Sequence, residues 1–207
     1  SLCSGIPLII EGTKQINLKW FLIFLTLGIG SITAAIKYTA GKNPYGYKGL
    51  GDVFVFLFFG LVGVLGCFIL QFQSINREVL LEAILPAVSI GCFSAAVLNL
   101  NNMRDAENDE KCGKITLAVR LGKTKSKIYH SWIIIVGIAT LFKFTETIYL
   151  PSIAQAILLL PCIFLILNVF KLIFNKSPKD LDPELKKVAL STFAISITLF
   201  CLIANYL

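Results

Sequence analysis

The sequence predicts an all-α, polytopic transmembrane helical bundle, and three observations carry that assignment. Hydrophobic residues make up 56% of the 207 positions and charged residues only 15%. Several stretches reach the roughly 20 apolar residues that a helix needs to cross a bilayer core. Their interiors are almost free of charge, apart from Lys143 near one end. In lipid, backbone polar groups must be satisfied within the segment, so spans of this length are helices.

The spans run, in order, about Trp20 to Tyr38, Asp52 to Phe72, Leu80 to Leu100, Ile128 to Ile148, Pro151 to Phe174, and Lys187 to Leu207. Before them, Leu2 to Ile10 reads as the tail of a further apolar helix that ends at Glu11-Gly12. The chain opens on Ser1 without the basic region and cleavage site of a signal peptide, so an upstream segment is expected to be missing. The expectation is about six full spans and one partial one in a single, N-terminally truncated domain over 1–207.

Small residues recur inside the spans: Gly28, Gly30, Ser31; Gly60, Gly63, Gly66; Ser89, Gly91, Ser94. Close helix approach in lipid depends on such positions. Pro86 and Pro161 fall inside spans and are expected to kink them. Trp20, Trp132 and Tyr38 lie near span ends, as interfacial anchors do.

Successive spans alternate sides, which divides the connections into two sets. The set 37–51, 101–127 and 171–187 holds every basic residue except Lys14, Lys19, Arg77 and Lys143. The positive-inside rule assigns that set to the cytoplasm. Topology and anionic lipid therefore account for the net charge of +7, and no nucleic-acid partner is needed to explain it. The six cysteines have no paired spacing and read as small hydrophobes. His130, the only histidine, reads as an interfacial polar residue, and Asp180, Asp182 and Glu184 as a solvated loop.

Two predicted cytoplasmic loops carry chemistry. In the first, Asn101, Asp105 and Asp109 are four residues apart and share a face if the segment is helical. Oxygen ligands on one face suit Mg2+, which keeps waters and shares its shell with substrate phosphates. Arg104 offers a two-pronged donor for phosphate oxygens and Lys114 a compact charge. A solvated loop of balanced charge is the plainer alternative. The second loop, Tyr38 to Asp52, has glycines at 41, 46, 49 and 51 and a proline at 44. Such turns let backbone N–H groups approach an anion, with Lys42 and the Tyr38 and Tyr47 hydroxyls as further donors. An interfacial turn with belt aromatics would read the same way.

Taken together, Tyr38-Thr39-Ala40-Gly41 with Tyr47-Lys48-Gly49-Leu50-Gly51-Asp52, and Asn101-Asn102-Met103-Arg104-Asp105 with Asp109 and Gly113-Lys114-Ile115-Thr116, resemble the UbiA superfamily of intramembrane prenyltransferases. Within it they are most similar to the branch that prenylates 1,4-dihydroxy-2-naphthoate in menaquinone biosynthesis. The resemblance implies an enzyme of a bacterial plasma (inner) membrane with its active-site loops in the cytoplasm. It implies transfer of a polyprenyl group from polyprenyl diphosphate to the naphthoate, with loss of carbon dioxide and diphosphate, giving demethylmenaquinone. It further implies that Mg2+ binds Asp105 and Asp109 with Asn101, and that Arg104, Lys114, Lys42, Tyr38, Tyr47 and Asn101 contact the diphosphate. Family members carry a second aspartate-rich motif upstream, and this chain alone is expected to be inactive without it. The alternatives are another aromatic or quinone prenyltransferase of the superfamily or, in a different class, a membrane transporter. A transporter would carry ionisable residues at mid-membrane depth.

Overall fold

The computed structural model describes residues 2–14, 18–41, 44–71, 77–175 and 177–206. Seven helices account for nearly all of them, with no strand among the described residues. They are α1 (Leu2–Thr13), α2 (Leu18–Thr39), α3 (Gly51–Gln71), α4 (Arg77–Lys111), α5 (Leu117–Thr147), α6 (Ser152–Phe174) and α7 (Leu181–Tyr206). Six of these, all but α1, are long and apolar enough to cross a membrane. Large apolar side chains such as Leu18, Phe164, Phe174 and Phe200 face outward, as lipid contact requires. The polytopic helical bundle read from the sequence is therefore the observed architecture.

Helix α4 is the centre of the bundle and the most buried span. It packs against α3, α5 and α7, and α7 in turn packs against α6. Phe93, Leu100, Ile134, Leu158, Leu165 and Ile195 lie fully buried at these contacts. Glycine permits the closest approaches. A Cβ on Gly60 of α3 would lie 2.5 Å from the Ala87 carbonyl oxygen and 2.7 Å from Gly91 Cα on α4. One on Gly137 of α5 would lie 2.5 Å from the Phe93 ring. The Gly60 contact falls within Phe56–Leu65, where α3 widens into π-helical turns. Such turns are rare, and those that occur are frequently at functional sites. Pro86 and Pro161 both lie inside continuous helices.

Two of the expected loops are shorter than the sequence suggested. Helix α4 runs past Leu100 to Lys111, and α5 begins at Leu117, so only residues 112–116 connect them. Leaving the bilayer does not end a helix when good formers such as Ala106, Glu107 and Glu110 continue it. What ends it is Gly113, at φ 71. The Gly113 N–H donates to the Glu110 carbonyl at 3.0 Å and the Lys114 N–H to the Asp109 carbonyl at 2.8 Å. That is the paired closure of a glycine C-cap. Thr116 then caps α5 by accepting from the Val119 N–H at 3.3 Å. A break at Gly122 (φ 70, ψ 174) separates the first turn of α5 from its membrane-crossing part. The expected loop 171–187 is likewise mostly helix, because α7 starts at Leu181.

Candidate active site

Helix α4 carries Asn101, Asp105 and Asp109 up one face, four residues apart, and the polar segment is helical as their spacing requires. The carboxylates are not splayed into solvent. Asp109 is 6% exposed and Asp105 is partly buried. Each is held by a neighbouring cation. Arg104 donates from Nε to Asp105 Oδ1 and from Nη2 to Oδ2, both at 2.8 Å. Its Nη2 also donates to Asn101 Oδ1 at 2.9 Å, and its Nη1 reaches Asp182 of α7. Lys114 Nζ donates to both oxygens of Asp109, at 3.1 and 3.0 Å. Hydrogen bonds to ionised groups contribute about 1.5–3 kcal/mol where shielded, and less at half-exposed Asp105.

The glycine-tyrosine segment reaches this site. After Pro44 the chain makes one 3-10 turn, Tyr45–Lys48, and leaves it through Gly49 at φ 70. The Ile115 N–H donates to the Tyr47 carbonyl at 3.0 Å, which ties the segment to the connection after α4. A Cβ on Gly49 would lie 3.2 Å from Arg120 Nε and from the Ile115 carbonyl oxygen, so the two segments meet at their backbones. Tyr38 closes over the turn: a Cβ on Gly46 would lie 2.7 Å from its carbonyl oxygen and 2.8 Å from its ring.

From Tyr38 an aromatic row descends along α3. The Tyr38 and Tyr45 ring centroids are 5.4 Å apart, Tyr45 and Phe54 stack at 4.0 Å, and Phe54 and Phe58 at 6.0 Å. Burial, with Tyr38 alongside, raises the Tyr45 phenol above its usual range. These rings line a largely apolar cavity of about 570 Å³ between α2 and α3. Leu98 of α4 also lines it and packs on Gly51. Leu98 lies seven residues before Asp105, two turns down the same face. The cavity wall therefore includes the face of α4 that carries the carboxylates two turns further on.

Of the residues singled out in the sequence, the structure brings together Asn101, Arg104, Asp105, Asp109 and Lys114, and sets Tyr38 in the adjoining cavity wall. Tyr47 joins through its backbone carbonyl, while its side chain is largely exposed. Lys42 lies outside the described residues. No group of three or more His, Cys, Asp or Glu side chains is gathered as for a metal among the described residues. Two carboxylates and an amide oxygen nonetheless fit Mg2+, which takes one or two protein carboxylates and completes its shell with water and phosphate.

Two readings from the sequence need correction, and one buried residue was missed. Asp182 and Glu184 are not a solvated loop: they begin α7, where Asp182 meets Arg104 and Glu184 is buried. His130 is not interfacial but 0% exposed, with Nε2 2.9 Å from Asn168 Oδ1. Asp52, given no role from the sequence, is 2% exposed, with the Tyr129 hydroxyl of α5 beside its carboxylate. Its position beside Gly51 in the second motif was the one available signal.

Fold and site together describe a helical membrane protein with a paired carboxylate–cation centre over an aromatic-walled cavity. The chain belongs to the UbiA prenyltransferase family, whose pattern it matches over residues 9–203. It is 41% identical over 205 residues to 1,4-dihydroxy-2-naphthoate octaprenyltransferase of Haemophilus influenzae, covering 95% of this chain and 62% of that protein. The enzyme of that name from Escherichia coli is 44% identical over 124 residues, 60% of this chain and 39% of the relative. Human UbiA prenyltransferase domain-containing protein 1 is 30% identical over 151 residues, 72% and 43% of the two chains. The chain thus spans less than two thirds of the length of these relatives. No solved structure matches it.

Proposed function

We propose that this chain is the membrane domain, or a large part of it, of an enzyme that transfers a polyprenyl group from polyprenyl diphosphate to 1,4-dihydroxy-2-naphthoate. The observation that carries the reading is one face of α4, with Asn101, Asp105 and Asp109 above and Leu98 below in the wall of the apolar cavity. A diphosphate at the carboxylates would leave its isoprenoid chain against Tyr38, Tyr45, Phe54 and Phe58. The names of the naphthoate relatives support the choice of acceptor.

In this account Asp105, Asp109 and Asn101 hold Mg2+, which when bound neutralises the charge that grows on the departing diphosphate. Lys114 and the remaining N–H of Arg104 face the same oxygens, and Lys42 and Tyr47 belong to the same proposal. Fixed cations stabilise developing charge without reorganising. The allylic carbon–oxygen bond breaks, and its electron pair leaves with diphosphate. Aromatic faces stabilise the allylic cation while the apolar wall excludes water. The ring carbon bearing the carboxylate forms the new carbon–carbon bond. Loss of carbon dioxide returns an electron pair to the ring, so no oxidant or reductant is required. The product is a prenylated naphthoquinol, the reduced form of demethylmenaquinone.

The concentration of lysine and arginine in 37–51, 101–127 and 171–187 supports a cytoplasmic site by the positive-inside rule, and the bacterial naphthoate relatives support a bacterial plasma membrane. The test supplies membranes containing the full-length protein with labelled polyprenyl diphosphate and, in turn, naphthoate, hydroxybenzoate and homogentisate acceptors. Labelled product from naphthoate alone is the expected result. Product from another acceptor and none from naphthoate would reassign the enzyme within its family.

A further inference from the structure

We propose that Asp182 is a positioning residue for the diphosphate site, setting the Arg104 guanidinium and through it the Asp105 carboxylate. The inference rests on the prenyl-transfer reading above. Arg104 has five N–H donors in one plane. Two hold Asp105, one holds Asn101, and Nη1 is held by Asp182, which lies 78 residues away on α7. Three of its four bonds go to the proposed metal ligands on its own helix. The fourth comes from outside and fixes the plane of the fork.

A half-exposed ion pair alone contributes little, about 0–1 kcal/mol. An acidic residue in the first turn of α7 also suits the helix dipole. Neither explains why the start of α7 is anchored so firmly. Glu184, one half-turn on, is 7% exposed and accepts from Asn168 Nδ2 at 3.1 Å and Lys187 Nζ at 2.6 Å. Asn168 Oδ1 accepts in turn from Nε2 of His130, so that His130 carries its proton there. A polar chain therefore crosses α5, α6 and α7 through three buried side chains, His130, Asn168 and Glu184. Buried hydrogen-bonded chains of this kind, here complete except for His130 Nδ1, favour one arrangement of the helices that share them. This one fixes the end of α7 that presents Asp182 to Arg104.

The test uses the full-length enzyme and compares Asp182→Ala, Asp182→Glu, Asp180→Asn and Asp105→Ala with the parent. Mn2+ binding is followed by the spin-resonance signal of the free ion, and diphosphate release is measured against Mg2+ concentration. Asp182→Ala should weaken Mn2+ binding and raise the Mg2+ requirement by about tenfold, the loss of one charge-assisted bond. Its kcat at saturating Mg2+ and its thermal midpoint should stay close to parental. Asp182→Glu should recover most of the loss. Asp180→Asn removes the same charge from an exposed neighbour and should change nothing. Parental Mn2+ binding in Asp182→Ala overturns the proposal, as does an equal effect of Asp180→Asn, which would mean bulk field rather than contact. If Asp105→Ala itself binds Mn2+ and turns over like the parent, the prenyl-transfer reading of the site has failed. If Asp105→Ala is inactive while Asp182→Ala is parental, only the positioning role falls.

Discussion

Lys114 is bound to Asp109 twice over, by backbone and by side chain. Its N–H donates to the Asp109 carbonyl at 2.8 Å and its Nζ to the Asp109 carboxylate at 3.0 Å. The first bond belongs to the C-cap of α4 and brings the lysine back over the last turn. The second follows from the first. A local rule of helix termination thus places a cation beside a proposed metal ligand.

The cap depends on Gly113. At φ 71 with nothing within 4 Å of its missing Cβ, alanine there meets no clash, only the left-handed backbone cost of about 1–2 kcal/mol. Gly113→Ala should lower the detergent melting temperature modestly and raise KM for polyprenyl diphosphate, as Lys114 loses its place. An unchanged KM would separate the cap from the site.

Lys114→Ala removes a cation that is bound to Asp109 at the end of α4, outside the apolar core of the bundle. The expected effect is a rise in KM for polyprenyl diphosphate of about tenfold or more with the fold intact. Steady-state kinetics at saturating acceptor measure it, and parental KM and kcat would remove Lys114 from the site.

Gly60→Val tests the contact that positions α3, and with it the aromatic row. The added Cβ would press on the α4 backbone at Ala87 and Gly91, and neither atom can rotate away. Overpacking of this kind costs about 1–3 kcal/mol or more. Thermal unfolding in detergent should show a clear loss, whereas Gly28→Ala and Gly30→Ala, with open space around both, should melt like the parent.

Much of this was legible in the sequence because it is local. Span length and the absence of charge gave the helices, and a spacing of four gave the shared face of Asn101, Asp105 and Asp109. The positions of the two motifs on one side of the membrane followed from the lysines. What stayed hidden depends on distant partners. Nothing near Tyr47 indicates that its carbonyl will meet Ile115, and nothing near Asp182 indicates that Arg104 awaits it. His130 begins a predicted span and so reads as interfacial. Its burial follows from the depth at which α5 meets Asn168 of α6. The polar loops were overestimated because a helix continues past the bilayer until a residue such as Gly113 stops it.

The central claim is that Asp105 and Asp109 hold Mg2+ against a departing diphosphate. Diphosphate release from polyprenyl diphosphate, titrated with Mg2+ in the full-length enzyme and in Asp105→Ala and Asp109→Ala, tests it most directly. The account predicts that each variant loses Mg2+-dependent release by at least about a hundredfold. Near-parental release at the same Mg2+ concentrations, in either variant, would contradict it.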